Sequence, residues 1–308
     1  MLNYDSSNLD QYDGHKKEDT SIETVKTDDP ILDEAFGYGL STKNLIIIQA
    51  PSGAGKTTLL MRFALNCLKA RKKIAYISIG EQDRNEIFER LACMHKGINY
   101  SEFNRYREDS DVEKIHNFRD FFKDYINIYY TESPFDVIDI TPEEFEQREI
   151  FDSVFTTEYN EIIKDIDKKG IKFIFLDYMG SDLNDDPKVN NYIWLGKFAA
   201  GLKNNCSNKN VMVMTAMQTN KIFKGRLKDP NFRPDDADEE YMSDSIGPAR
   251  KATICATFFK YKGNKYLNFF KNRLTGETPC LRLDIAEKSN YKISVYIDPE
   301  KGFWWKIV

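Results

Sequence analysis

Five short apolar runs recur along the chain at Leu45–Gln49, Ile74–Ile79, Ile126–Tyr130, Ile171–Leu176 and Val211–Thr215, each bounded by polar or turn-forming residues. Runs of this length and composition predict buried strands. Between several of them the apolar positions take helical spacing, as in TTLLMRFALNCLKA (57–70), QDRNEIFERLACMH (82–95) and NNYIWLGKFAAGLKNN (190–205). Alternation of strands with helices predicts an α/β fold, a mostly parallel central sheet flanked by helices. The pattern changes after residue 252: TICATFFKYKG, KYLNFFKNRL, CLRLDIAEK and YKISVYID are short runs broken by Gly, Asn and Pro. They predict an antiparallel C-terminal extension.

Residues 1–26 break the pattern, being poor in aliphatics and rich in acids (Asp5, Asp10, Asp13, Glu18, Asp19 and Glu23 against Lys16, Lys17 and Lys26). They predict a disordered tail, either simply solvated or an arm that docks on a neighbouring subunit. The remaining 27–308 is expected to form one domain, and 41% hydrophobic residues suffice for its core. No apolar run approaches the roughly 20 residues of a membrane span, and the first residues lack the basic-then-apolar order of a signal peptide. A cytoplasmic protein is expected. Five scattered cysteines without a CxxC pair, and three histidines without ligand spacing, predict buried thiols rather than zinc or disulfides. A net charge of −5 argues against bulk coating of nucleic acid but leaves room for a local basic groove.

The first strand runs into Ala50-Pro51-Ser52-Gly53-Ala54-Gly55-Lys56-Thr57 and then an amphipathic helix. This is the setting of a phosphate-binding loop, with alanine at the first glycine of GxxxxGK[ST]. Backbone amides from Ser52 to Thr58 would face the phosphates of ATP, the helix start would add its dipole, Lys56 would meet the β and γ phosphates, and the Thr57 hydroxyl would serve Mg2+. The strand Lys172–Asp177 ends in a carboxylate at the same sheet edge, so Asp177 is expected in the magnesium shell. Glu81, after the strand ending SIG, reads either as the base that polarises water or as a helix N-cap acid. Gln218, following VMVMT, reads as a sensor of the γ phosphate. Lys221, Lys224, Arg226 and Lys228, with Phe223 between them, read either as a single-stranded DNA contact in which the ring stacks on a base or as a solvated loop.

Taken in order, the entry ILDEAFGYGL, the loop beginning Ala-x-x-Ser, Ser-x-x-Glu, LDYM, TAMQTN and the late Lys271-Asn272-Arg273-Leu274-Thr275-Gly276 resemble the RecA-like C-terminal motor of DnaB-type replicative helicases (superfamily 4) over about residues 27–285. The resemblance implies a DNA-stimulated ATPase that moves along single-stranded DNA as a homo-hexamer and unwinds duplex. It also implies that Lys271 and Arg273 complete the ATP site of the next subunit, Arg273 as a finger. A primase or loader is an implied partner. The family's helical collar does not precede the motor motifs, an arrangement expected of a phage or other mobile element. A RecA/RadA/KaiC-like recombination or switch ATPase, or a helicase accessory ATPase, remains the alternative, since RadA-like proteins also carry a K-N-R-x-G piece.

Overall fold

In the computed structural model, the described residues are 21–80, 82–131, 157–180, 191–242, 246–286 and 292–296. In chain order they form β1 (Thr24–Val25), α1 (Pro30–Ala35), β2 (Leu40–Ser41), β3 (Leu45–Ala50), α2 (Lys56–Lys69), β4 (Ile74–Ile79), α3 (Arg84–Lys96), α4 (Tyr100–Tyr106), α5 (Asp109–Phe122) and β5 (Ile126–Thr131). There follow α6 (Thr157–Lys168), β6 (Phe173–Asp177), α7 (Asn191–Lys209), β7 (Met212–Gln218), α8 (Lys221–Arg226), α9 (Gly247–Lys251), β8 (Ile254–Tyr261), β9 (Asn264–Asn272), β10 (Cys280–Ala286) and β11 (Lys292–Tyr296).

The main sheet has nine strands in the order β11-β10-β9-β8-β3-β7-β6-β4-β5. From β8 to β5 neighbours are parallel, and from β8 outward to β11 they are antiparallel. This is the α/β architecture with an antiparallel extension that the pattern predicts.

The period of two within each strand divides the core into two layers. Ile46, Ile48, Tyr76, Phe175, Met214 and Ala256 point to the face covered by α2, α3 and α5. Leu45, Ile47, Ile77, Leu176, Val213 and Cys255 point to the face covered by α6 and α7. Both faces are buried, which is why these strands read as continuous apolar runs rather than as alternating ones.

Two boundaries differ from the sequence reading. Thr24 and Val25 pair with Ser41 and Leu40, and Val25 joins the core, so the folded part begins inside the segment assigned to the tail. Its fasteners are polar and distant in sequence: Arg62 donates to Asp28 Oδ2 at 2.6 Å, Lys72 to Glu23 at 2.8 Å, and Asn210 to the Ser21 carbonyl at 2.6 Å. The second difference is β7, which continues through Ala216 and Met217 to Gln218 in register with β3. Gln218 therefore ends the strand rather than following it.

Candidate active site

The phosphate-binding loop links β3 to α2. Gly53 and Gly55 take φ of +78° and +97°, a left-handed backbone that favours glycine, and a Cβ at Gly53 would meet nothing within 4 Å. That turn leaves Gly55 as N-cap of α2 with no capping side chain, so the first amides of a 14-residue helix are directed at the loop. Ala50, where the motif's first glycine would stand, is the last residue of β3 and accepts from the Thr219 amide at 3.1 Å. The end of β7 is thus tied to the start of the loop.

Asp177 ends β6 on the α2 face and is 3% exposed. The Tyr76 hydroxyl donates to its Oδ2 at 2.9 Å, while Oδ1 is buried and makes no hydrogen bond. Burial raises the Asp177 pKa, and the Thr57 and Tyr76 hydroxyls and the charges of Lys56 and Arg90 work against that rise. Lys56, Thr57 and Asp177 are therefore neighbours. A buried carboxylate oxygen without a donor, beside a lysine and a threonine hydroxyl at a helix start, fits a hydrated magnesium ion carrying phosphates.

Sequence reasoning did not find Tyr76 and Arg90. Tyr76 could have been flagged as a lone aromatic with a polar tip in an aliphatic strand; Arg90 reads in the sequence as half of a helical surface pair, and it does lie 3.5 Å from Glu86. Gln49, buried at the end of β3, was missed too. It donates to Thr257 Oγ1 (2.7 Å) and to the Asp238 carbonyl (2.6 Å), connecting the strand beneath the loop to the segment after α8.

Glu81 lies outside the described residues. The turn leading to it is formed by Gly80 at φ +67°, whose amide donates to Thr131, and by the Gln82 amide, which donates to Ser78 Oγ at 3.1 Å. Ser243 to Ser245 and most of the loop after Asp177 also lie outside.

Lys221 to Arg226 form helix α8 immediately after β7, at the same sheet edge as the phosphate-binding loop. Lys221, Lys224, Arg226 and Lys228 are exposed. Arg226 pairs with Asp229 at 2.9 Å, and Lys221, Lys224 and Lys228 make no ion pair among the described residues. Phe223 corrects the sequence reading. It is fully buried against Phe232, Tyr241 and Phe259, so its ring is not available to a base.

Lys271 and Arg273 fall at the other end of the sheet. Asn272 pairs with Ile254 and Ile254 with Ile46, and the Arg273 amide donates to the Thr253 carbonyl, which puts Arg273 level with the start of β3. Five residues of strand separate that level from Ala50, about 16 Å along the strand and two strands aside. An arginine side chain does not span this gap. Lys271 Nζ donates to the Ala249 carbonyl and Arg273 Nη2 to the Arg250 carbonyl at 2.9 Å, so both lean on α9 of their own chain. Partial burial lowers the Lys271 pKa.

Residues 24–238, well over half of the chain, match the family of the DnaB-like helicase C terminal domain. The chain belongs to that family. The match ends ahead of Lys271 and Arg273. A solved ATPase domain of a DnaB-like replicative helicase superposes with a TM-score of 0.67 at 16% identity, covering 92% of this chain and 95% of the other. A second structure, of a DnaB-like replicative helicase characterised with its primase interactions, gives 0.68 at 17%, covering 93% of this chain and 67% of the other. At such identities the likeness is one of fold, and it makes this DnaB-like domain RecA-like in architecture. The DNA repair protein RadA of Campylobacter jejuni subsp. jejuni is 40% identical over 73 residues, 23% of this chain and only 16% of that protein. Among the described residues no helix is long and apolar enough to cross a membrane, and no group of His, Cys, Asp and Glu could hold a metal ion by itself. Cys67, Cys93, Cys206 and Cys255 are buried free thiols.

Proposed function

We propose that this chain is the motor of a ring-forming replicative helicase, hydrolysing ATP between subunits to move along single-stranded DNA and unwind duplex. The observation that carries this reading is the separation of the site into two halves on one chain. The phosphate-binding loop and Asp177 lie at one end of the sheet; Lys271 and Arg273 lie at the other, too far away to serve the same nucleotide. Head-to-tail packing of identical subunits brings such halves together and closes into a ring, and a homo-hexamer is the expected assembly.

Within each site, the amides of Ser52 to Thr58 cradle the phosphates of ATP and Lys56 meets the β and γ oxygens. Magnesium, held by Thr57 and through water by Asp177, would offset phosphate charge as the terminal phosphoryl leaves. Glu81 orients the attacking water. Arg273 and Lys271 of the neighbour bring cations to the transferring phosphoryl only when the ring is assembled, which couples hydrolysis to subunit geometry. Gln218 senses phosphate loss beside the loop, and α8 follows it directly, so Lys221, Lys224, Arg226 and Lys228 are the residues proposed to track the DNA backbone. A primase or loader is the further partner this reading implies.

Hydrolysis measured with and without single-stranded DNA tests the proposal, alongside light scattering in ATP, Mg2+ and DNA. Stimulation by DNA together with a particle several subunits in mass is expected; monomers with DNA-indifferent hydrolysis would overturn it. The RadA similarity favours one alternative, a recombination or switch ATPase, and unwinding of a forked duplex separates the two.

A further inference from the structure

We infer that Tyr76 is a positioning residue for magnesium, acting through Asp177. The inference rests on the reading of the site as a magnesium–ATP site. Residues 76 and 78 of β4 face the same way, and the pairs Tyr76 with Phe175 and Ser78 with Asp177 put the tyrosine diagonally next to the carboxylate on the α2 side of the sheet. From there its hydroxyl reaches Oδ2 at 2.9 Å, in a place where neither Tyr76 nor Asp177 is open to solvent.

Two consequences follow from that bond. A buried carboxylate is driven toward its protonated form, in which it attracts a cation poorly, and a donated hydrogen bond favours the ionised form. The bond also occupies one oxygen and fixes the rotation of the group. Oδ1, buried and without a hydrogen bond, is left as the oxygen presented to the metal's shell. A phenylalanine would fill the same space in this layer of the core; the hydroxyl is what packing alone does not require, since a buried tyrosine hydroxyl needs a partner that a phenyl ring does not.

Tyr76→Phe tests this, because it removes one oxygen and leaves the ring. Nucleotide binding is followed by fluorescence of a labelled ATP in EDTA and across a magnesium titration, and binding of Mn2+ in the presence of ADP is read by electron paramagnetic resonance. The expected result is unchanged affinity in EDTA, with about tenfold more magnesium or manganese needed for half-saturation, the scale of one hydrogen bond to a charged group. The substitution is expected to add nothing further in an Asp177→Asn background. Equal metal requirement in wild type and Tyr76→Phe, or a lower one in the variant, overturns the inference. Failure of the underlying reading has a different signature: wild-type nucleotide binding that is indifferent to magnesium and to Lys56→Ala.

Discussion

Phe223→Ala separates the role of α8 as a carrier of cations from the idea that its ring touches DNA. Phe223 is fully buried, with ring centroids 4.8 Å from Tyr241, 5.4 Å from Phe259 and 5.9 Å from Phe232. Truncating a buried phenylalanine costs about 3–5 kcal/mol. This aromatic cluster stands apart from the two layers that pack the main sheet, so the loss falls on the segment from α8 to Met242 before it falls on the whole domain. At about 3 kcal/mol, amide hydrogen exchange in 221–242 should quicken by roughly a hundredfold. Single-stranded DNA affinity, read by fluorescence anisotropy at two salt concentrations, should fall together with its salt dependence, because the lysines lose their scaffold. ATP affinity should stay within about twofold, since the phosphate-binding loop rests on other contacts. Phe223→Leu keeps most of the buried volume and should bind DNA nearly as wild type does. DNA binding abolished in Phe223→Leu, with exchange in 221–242 unchanged, would refute the reasoning and restore the ring to the DNA.

Three further outcomes follow from buried polar groups and from the cations themselves. Asp28→Ala should cost about 3 kcal/mol in urea unfolding, because it strands the guanidinium of Arg62, which is 2% exposed and has Nε and Nη1 already without partners. Arg62→Met should cost less, since Asp28 is 36% exposed and keeps Lys69 at 3.1 Å; equal losses would contradict this asymmetry. His95 packs on Phe118 and Phe122, and burial, with Lys96, Lys69 and Arg62 adding to it, lowers its pKa from 6.5 to about 4. Its neutral form stabilises the fold fully above pH 6.5, and that share is lost as pH falls toward 4. Wild type should lose about 1 kcal/mol between pH 7.5 and 5.5 that His95→Leu does not lose; parallel melting curves against pH would exclude the assignment. Neutralising Lys221, Lys224 and Lys228 together should flatten the salt dependence of DNA binding by about three contacts' worth of slope, and an unchanged slope would move the DNA elsewhere.

Much of this was legible in the sequence because it is written in contiguous residues. The phosphate-binding loop announces itself through two glycines with positive φ between a strand and a helix, and Asp177 through its position at the end of an apolar strand. What stayed hidden depends on partners far along the chain. Phe223 reads as part of a basic loop until Phe232, Tyr241 and Phe259 are brought around it. Val25 reads as a stray aliphatic in an acidic tail until Leu40 pairs with it. Tyr76 and Asp177 are a hundred and one positions apart and meet only through the register of β4 with β6. The motif that places Arg273 in a neighbour's site came from resemblance; its position at the far end of the sheet, visible only in three dimensions, supplies the physical reason.

The most direct test of the account is to mix subunits that each lack one half of the site. Lys56→Ala and Arg273→Ala should each lose DNA-stimulated ATP hydrolysis, and an equimolar mixture should recover part of it, since some interfaces then combine an intact loop with an intact arginine. Hydrolysis by Arg273→Ala alone at the wild-type rate, or a mixture as inactive as its components although the subunits co-assemble, would contradict a site shared between chains.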